Sequence, residues 1–274
     1  ILNPLDFLNQ LIPGGEKNVI PFRRLAKSNF SAAYDPHPWQ SVDIHNVLSK
    51  TKPRISFTKA EKLKSKSILK NIGFNPEKKY VCIHNRDSTF HSDVISNHRN
   101  SSINDFKDAV TYLHSLGYQV IRMGAKVEGE LEIESTLYFD YARSGIRSEL
   151  LDLFLISKCS FFVGNGSGID FVPSLFRKMV VYINYSQIGT ISSFPYCAII
   201  IYRKMKIQER TLSMSEIIEK GYEKYSLAFE FKNEGIEFIN NSNQEIRSVI
   251  SEAHDKINNN WHTKADEKFN QELF

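Results

Sequence analysis

Phe161-Phe-Val-Gly-Asn-Gly-Ser-Gly-Ile-Asp-Phe171 reads as a buried strand that passes through a glycine turn into a helix. Gly164, Gly166 and Gly168 let the backbone turn sharply and come close to a ligand, while amides at the start of the next helix can face an anion. That layout suits a phosphate, and hence a nucleotide or sugar nucleotide. The same strand, turn and helix also occur in doubly wound folds with no ligand there, so the turn alone leaves function open.

On either side of this stretch, strand and helix signals alternate. Residues 80–84 form a short apolar strand. Ser102-Ile-Asn-Asp105 then caps a helix whose Phe106, Ala109, Val110 and Leu113 share one face before Gly117 ends it. Strands follow at 118–123 and 137–141, a mostly apolar helix at 149–158, and strands at 160–163, 179–184 and 197–202. The helix after the glycine turn, 169–176, contains Pro173, which shortens or kinks it. Capping boxes Thr58/Glu61, Ser213/Glu216 and Ser242/Glu245 introduce three more helices. In the last of these Ile246, Val249, Ile250, Ala253 and Ile257 make a 3.6-period stripe able to seal one face of a sheet. Such alternation predicts an α/β fold with a mainly parallel sheet, helices on both sides and ligands at the carboxyl ends of the strands.

Length and composition bound the rest. The 274 residues can hold one large or two modest domains, and 41% hydrophobic with 24% charged residues is the composition of an ordinary soluble globular protein. No apolar run approaches the roughly 20 residues of a membrane span. The opening Ile1-Leu-Asn-Pro-Leu5 has neither a start methionine nor the charged beginning of a signal peptide, which reads as a fragment or processed form with something missing upstream. Cys82, Cys159 and Cys197 lie in or beside apolar strand-like segments without metal-ligand spacing, as buried free thiols of a reducing compartment do. Charge is uneven: residues 1–76 carry 12 Lys/Arg against 5 Asp/Glu, and the remainder 23 against 26. This basic quarter suits acidic lipid, a polyanionic glycan or nucleic acid, or is simply a solvated helix surface. Residues 1–57 are loop-rich, broken by Pro4, Pro13-Gly14-Gly15, Pro21 and Asp35-Pro-His-Pro38, and read as part of a smaller domain.

Polar groups converge at the predicted strand ends. His84-Asn-Arg-Asp-Ser88 leaves the first strand, Arg122-Met-Gly124 the second, Asp140-Tyr141 the third, and Asn165, Gly166, Ser167 and Gly168 the fourth. Arg86 and Arg122 offer planar, permanently charged forks for a diphosphate; the competing reading is a structural ion pair with Asp87 or Asp140. Asp87 or His84 suits a base that takes a proton from an acceptor hydroxyl, although Asp87 equally suits orienting Arg86, and His84 equally suits ending a strand. His91, His98, Arg99 and Asn100 lie in a long polar loop, 88–102, a place for an acceptor or a donor ribose because loops of that length are often functional; for His91 the competing reading is a solvated loop.

Several signatures are missing. There is no Gly-x-x-x-x-Gly-Lys-Ser/Thr loop, no dinucleotide fingerprint after the first strand, and no His-Glu-x-x-His or paired-cysteine metal cluster. No Asp-x-Asp pair is present to hold a divalent metal against a diphosphate. Arginines and helix amides would then neutralise the leaving group, with no cofactor.

At these residues the chain resembles a family of bacterial glycosyltransferases associated with surface polysaccharide synthesis, and more distantly the fucosyltransferase-like branch of the GT-B fold. The resemblance is carried by residues 3–16, by Tyr80-Val-Cys-Ile-His-Asn-Arg-Asp-Ser88, by His98-Arg-Asn100 with Gly117-Tyr-Gln-Val-Ile-Arg-Met-Gly124, and by Lys158-Cys-Ser-Phe-Phe-Val-Gly-Asn-Gly-Ser-Gly168 with Val172-Pro173. It implies two facing Rossmann-like domains: a partial acceptor-side domain with a linking helix at 1–76, a donor-binding domain at 77–260, and a tail at 261–274. It also implies that the arginine of a His-x-Arg motif, here Arg86, binds the donor diphosphate. The expected function is metal-independent transfer of a sugar from a nucleotide-sugar donor to a glycan or lipid-linked glycan. The expected setting is the cytoplasm, at the inner face of the cytoplasmic membrane, with peripheral membrane contact and no nucleic-acid partner. The alternative is a non-catalytic sugar-nucleotide or glycan-binding module of a larger assembly protein.

Overall fold

The structure, a computed structural model, describes residues 50–89, 96–190 and 198–259. The loop-rich residues 1–49, His91, Cys197 and the tail therefore lie outside the described residues.

Six parallel strands form the main sheet: β1 (Tyr80–Ile83), β2 (Gln119–Arg122), β3 (Tyr138–Phe139), β4 (Phe162–Gly164), β5 (Val180–Tyr185) and β6 (Ile199–Tyr202). Their spatial order is β3-β2-β1-β4-β5-β6, the doubly wound order in which the winding reverses between β1 and β4. Strands buried on both faces can be apolar throughout, as Tyr80-Val-Cys-Ile83 is.

Strand alternation sends these side chains to opposite layers. Val81, Ile83, Val120, Val163 and Val181 face α2 (Lys107–Ser115) and α7 (Asn243–Ile257), meeting Val110, Leu113, Ile246 and Ile250. Tyr80, Cys82, Ile121, Phe162 and Val180 face the layer of α1 (Lys59–Asn71), α3 (Glu149–Lys158) and the short α4 (Val172–Leu175), meeting Leu69, Phe154 and Leu155. Each fully buried Leu, Ile or Phe contributes about 1.5–3 kcal/mol, so these two layers carry most of the stability. The three capping boxes form, at Thr58, Ser213 and Ser242. The expected helix start at Ser102 is a 3-10 turn, Ile103–Phe106, that runs into α2. Cys82 and Cys159 are buried free thiols.

One element escaped the sequence reading. After β6 the chain builds a three-stranded antiparallel sheet, β8-β7-β9, from β7 (Lys204–Ile207), β8 (Arg210–Thr211) and β9 (Ile236–Ile239). α5 (Met214–Glu219) and α6 (Ala228–Asn233) lie between β8 and β9, and Met205, Ile217, Phe231 and Ile236 make its small core. A reciprocal pair fastens it to the main sheet: the Asn184 amide donates to Asn241 Oδ1 at 2.6 Å, and the Asn241 amide to Asn184 Oδ1 at 2.7 Å. Asn184 adopts φ 49°, a left-handed conformation that asparagine tolerates better than most side chains.

Candidate functional site

A cavity of about 780 Å³ opens at the carboxyl ends of β1, β2 and β4, where the winding reverses. The loop after β1 lines it with His84, Asn85, Arg86 and Asp87, and the loop after β2 with Gly124, Ala125 and Lys126. Ser167, Gly168 and Ile169 come from the glycine turn, Ser96 and Arg99 from the polar loop. Leu153, Ile156, Ile169 and Val172 make an apolar wall, with Arg147, Glu149 and Asp152 beside it.

The glycine turn is organised by a residue that sequence reasoning passed over. Asp170, fully buried, accepts from the amides of Gly166 (2.7 Å) and Ser167 (2.8 Å) and from the Ser167 hydroxyl (3.0 Å). Burial pushes its carboxyl up, against the pull of His84 and of these donors. The glycines follow from this packing. A Cβ on Gly164 would stand 2.5 Å from the Asp170 carboxylate, and one on Gly166, at φ +92°, 2.8 Å from the Tyr185 ring. The Gly166 and Ser167 amides expected on a phosphate are thus spent inside the protein. The sequence signal was present, since Ser-x-x-Asp is the spacing of a helix-start cap.

Asn165 is likewise structural. Its Oδ1 accepts from the Arg86 amide at 2.8 Å, and its Nδ2 donates to Arg99 O and Ser101 Oγ, both at 3.0 Å. Arg86 lines the cavity with its guanidinium turned onto the polar loop, donating to Ser96 O (2.9 Å), Ser96 Oγ (3.1 Å) and Asn100 Oδ1. Arg203, which sequence reasoning missed, holds the same loop from the opposite side by donating to the carbonyls of His98 and Asn100. Burial lowers its pKa to about 10, against the pull of Asp105. Nothing in the sequence between β6 and β7 points Arg203 at a loop a hundred residues earlier.

Arg122 does not reach the cavity. It is fully buried and donates to Glu128 O (2.8 Å), Gly129 O (2.9 Å), Asp140 Oδ2 (3.2 Å) and Asn85 Oδ1 (3.3 Å). The ion-pair reading is the one found, with Asp140 away from the cavity wall. Burial raises the Asp140 carboxyl despite that pairing. The arginine folds the 124–129 loop back on itself, which brings Lys126 to the cavity. Glycine suits position 124, at φ +149°, where a Cβ would also meet Val127 Cγ1 at 2.6 Å.

The two candidate bases differ in their engagements. Asp87 Oδ1 accepts from the Thr89 amide at 2.9 Å and Oδ2 from the Glu128 amide at 2.7 Å, so the carboxylate pins two loops together. His84 Nδ1 lies 3.0 Å from Met123 O; a carbonyl only accepts, so Nδ1 carries a proton, and Nε2 is the ring nitrogen left to exchange one. His98 is separated from both. Its ring packs 5.1 Å from Phe231 and 5.8 Å from Phe238, against the small sheet. Sequence reasoning also missed Lys126, Arg147 and Asp152. Arg147 pairs with Asp152 at 2.6 Å, and burial raises that carboxyl despite its bonds from Tyr141 and Arg147.

No group of three or more His, Cys, Asp or Glu side chains able to hold a metal occurs among the described residues, and no helix there is long and apolar enough to cross a membrane.

No protein-family model and no curated protein matches the sequence. Similarity to solved structures is remote. The E. coli ADP-heptose lipopolysaccharide heptosyltransferase II is 15% identical over 74% of this chain and 54% of its own, with a TM-score of 0.43. A family 9 glycosyltransferase from Veillonella parvula is 13% identical over 74% and 52%, again at 0.43. The dodecameric iron-containing heptosyltransferase TibC, solved with ADP-D-β-D-heptose, is 14% identical over 66% and 46%, at 0.39. The chain spans about half the length of these structures.

Proposed function

We propose that the chain belongs to a glycosyltransferase that moves a sugar from a nucleotide-sugar donor to a glycan acceptor in surface polysaccharide synthesis, without a metal, with the donor bound by residues 77–260. One observation carries the reading: the cavity at the reversal point of a doubly wound sheet combines cations (Arg86, Arg99 and Lys126) with an apolar wall. A nucleoside diphosphate needs both, a flat apolar surface for its base and fixed positive charge for its phosphates.

In this reading the base lies on Leu153, Ile156, Ile169 and Val172, and the diphosphate beside Arg99 and Lys126, with Arg86 holding the loop that presents Arg99. As the acceptor oxygen bonds to the anomeric carbon, the bond to the diphosphate breaks, and the cations stabilise the departing charge. His84 Nε2 receives the acceptor proton, and Asp87 holds the loops in register. A retaining reaction would need no base at this place. Residues 1–76 belong to the acceptor side, 77–260 to the donor side and 261–274 to a tail. The enzyme works at the inner face of the cytoplasmic membrane as a peripheral protein.

The second reading is a non-catalytic binding module, favoured by the engagement of both Asp87 oxygens with backbone amides. The test is thermal stabilisation by a panel of nucleotides and nucleotide sugars, ADP-heptose among them, with and without divalent metal, followed by release of nucleoside diphosphate when glycan acceptors are supplied. A metal-independent shift with one nucleotide, lost in Lys126→Ala, with turnover lost in His84→Ala, is expected. Binding without turnover to any acceptor favours the module. No shift with any nucleotide overturns the transferase reading and leaves a module that binds glycan.

A further inference from the structure

The layer formed by α1, α3 and α4 has an outer surface that sugar transfer does not use. Residues 50–70 hold eight Lys/Arg and one acidic residue, Glu61, whose carboxylate is taken up by the Thr58 cap. α1 buries Ser65 and Leu69 against the sheet, which turns Lys59, Leu63, Lys66 and Lys70 outward along one line at intervals of four, three and four. Glu77 pairs with Lys66 at 2.7 Å, and Lys59, Lys62 and Lys70 are exposed.

Apolar side chains stand among these charges. Leu63 is 61% exposed in the middle of the lysine line, and Ile55, just before the helix, is 45% exposed. The segment carrying Ile55 joins the end of α4, where Arg177 donates to Thr51 O and Thr51 Oγ1 and Phe57 stacks on Phe176 at 6.1 Å. From there Phe171 and Leu175 project outward at 44% and 43% exposure, on the same turn whose Ile169 and Val172 wall the cavity. A nucleic acid would need the cations alone. Cations interleaved with exposed Leu, Ile and Phe fit a partner that is anionic at its surface and apolar just beneath.

We infer that this face docks on an anionic lipid bilayer, with the lysines of α1 on the headgroups and Leu63 and Ile55 entering the interface. The inference rests on the peripheral-contact part of the reading above and not on its chemistry.

The test is sedimentation of the full chain with vesicles of pure phosphatidylcholine and of phosphatidylcholine mixed equally with phosphatidylglycerol, at low and physiological ionic strength. Binding to the anionic vesicles alone is expected. The triple variant Lys59→Gln, Lys62→Gln, Lys70→Gln should weaken it about a hundredfold at low salt. Ile55→Ser with Leu63→Ser should weaken it about tenfold without changing net charge. Melting temperature confirms that each variant is folded, and the nucleotide shift should survive in both, so the docking face and the donor site fail separately. The inference is overturned by absence of binding to anionic vesicles, by equal binding to pure phosphatidylcholine, or by an unchanged triple variant. An unaffected Ile55/Leu63 variant, with dextran sulfate competing fully, overturns it in favour of a general polyanion surface.

Discussion

The glycine turn makes a demand on stability that can be measured as an interaction energy between Gly164 and Asp170. In Gly164→Ala the new Cβ stands 2.5 Å from Cγ, Oδ1 and Oδ2 of Asp170, roughly 1 Å inside ordinary contact. The carboxylate cannot retreat, because it holds the Gly166 and Ser167 amides at 2.7 and 2.8 Å. Overpacking of this kind costs about 1–3 kcal/mol, offset by about 0.5 kcal/mol from a less flexible unfolded chain, for a net loss of about 1–2 kcal/mol. Asp170→Ala removes the acceptor of a buried amide at Gly166 and of a half-buried one at Ser167, at about 1–3 kcal/mol for the first and less for the second, so about 2–4 kcal/mol in all. In the double variant the clash is gone and the loss should stay near that of Asp170→Ala alone, giving a coupling of about 1–2 kcal/mol. Urea unfolding of the four proteins measures it. Losses that add to within about 0.3 kcal/mol would mean that Gly164 is not there to make room for Asp170, and the account of the turn would be wrong.

Further expectations concern the same site. Asp170→Asn keeps an oxygen for the two amides but cannot ionise. Because burial raises the folded-state pKa of Asp170, its stabilising contribution is full below its ordinary value of 3.8 and is lost as pH rises through the folded value. The stability advantage of the native chain over Asp170→Asn should therefore be greatest in acid and shrink toward neutrality, as pH-dependent unfolding would show; an advantage that grows with pH refutes the sign. Arg203→Met frees the carbonyls of His98 and Asn100, and should weaken nucleotide binding about tenfold through Arg99 with little change in Lys126-dependent affinity. Calorimetric titration of the single and double variants checks this, and an unchanged affinity would show that the loop holds itself. Arg122→Met leaves Asp140 and two carbonyls without their donor and should cost about 3–5 kcal/mol in urea unfolding. A loss below about 1 kcal/mol would remove its scaffold role.

Much of this was legible in residues that act locally. The strand at 80–84, the helix at 149–158 and the three capping boxes depend on periodicity and near-neighbour hydrogen bonds, and the structure has them close to the expected places. The short strands β7, β8 and β9 were not legible. The buried pattern of β7 is broken by Lys204 and Lys206, and its partner β9 lies beyond two helices. At the site, the identities of the loops were readable and the directions of their side chains were not. Arg86 and Arg122 look alike in sequence, each at a strand end; one reaches the cavity and the other is fully buried. The difference is made by Glu128, Gly129 and Asp140, which close over Arg122.

By itself the sequence determined the α/β alternation, the apolar strands and the glycine turn at 164–168, because each is set by backbone freedom and hydrophobic period within a few residues. Only the tertiary structure decided the strand order, the reversal point between β1 and β4, and which polar groups are free. Those depend on pairings such as Arg86 with Asn165, Arg203 with His98 and Arg122 with Asn85. A buried donor must take the acceptor that folding brings to it, and that acceptor is chosen by topology, at separations where local pattern carries no information.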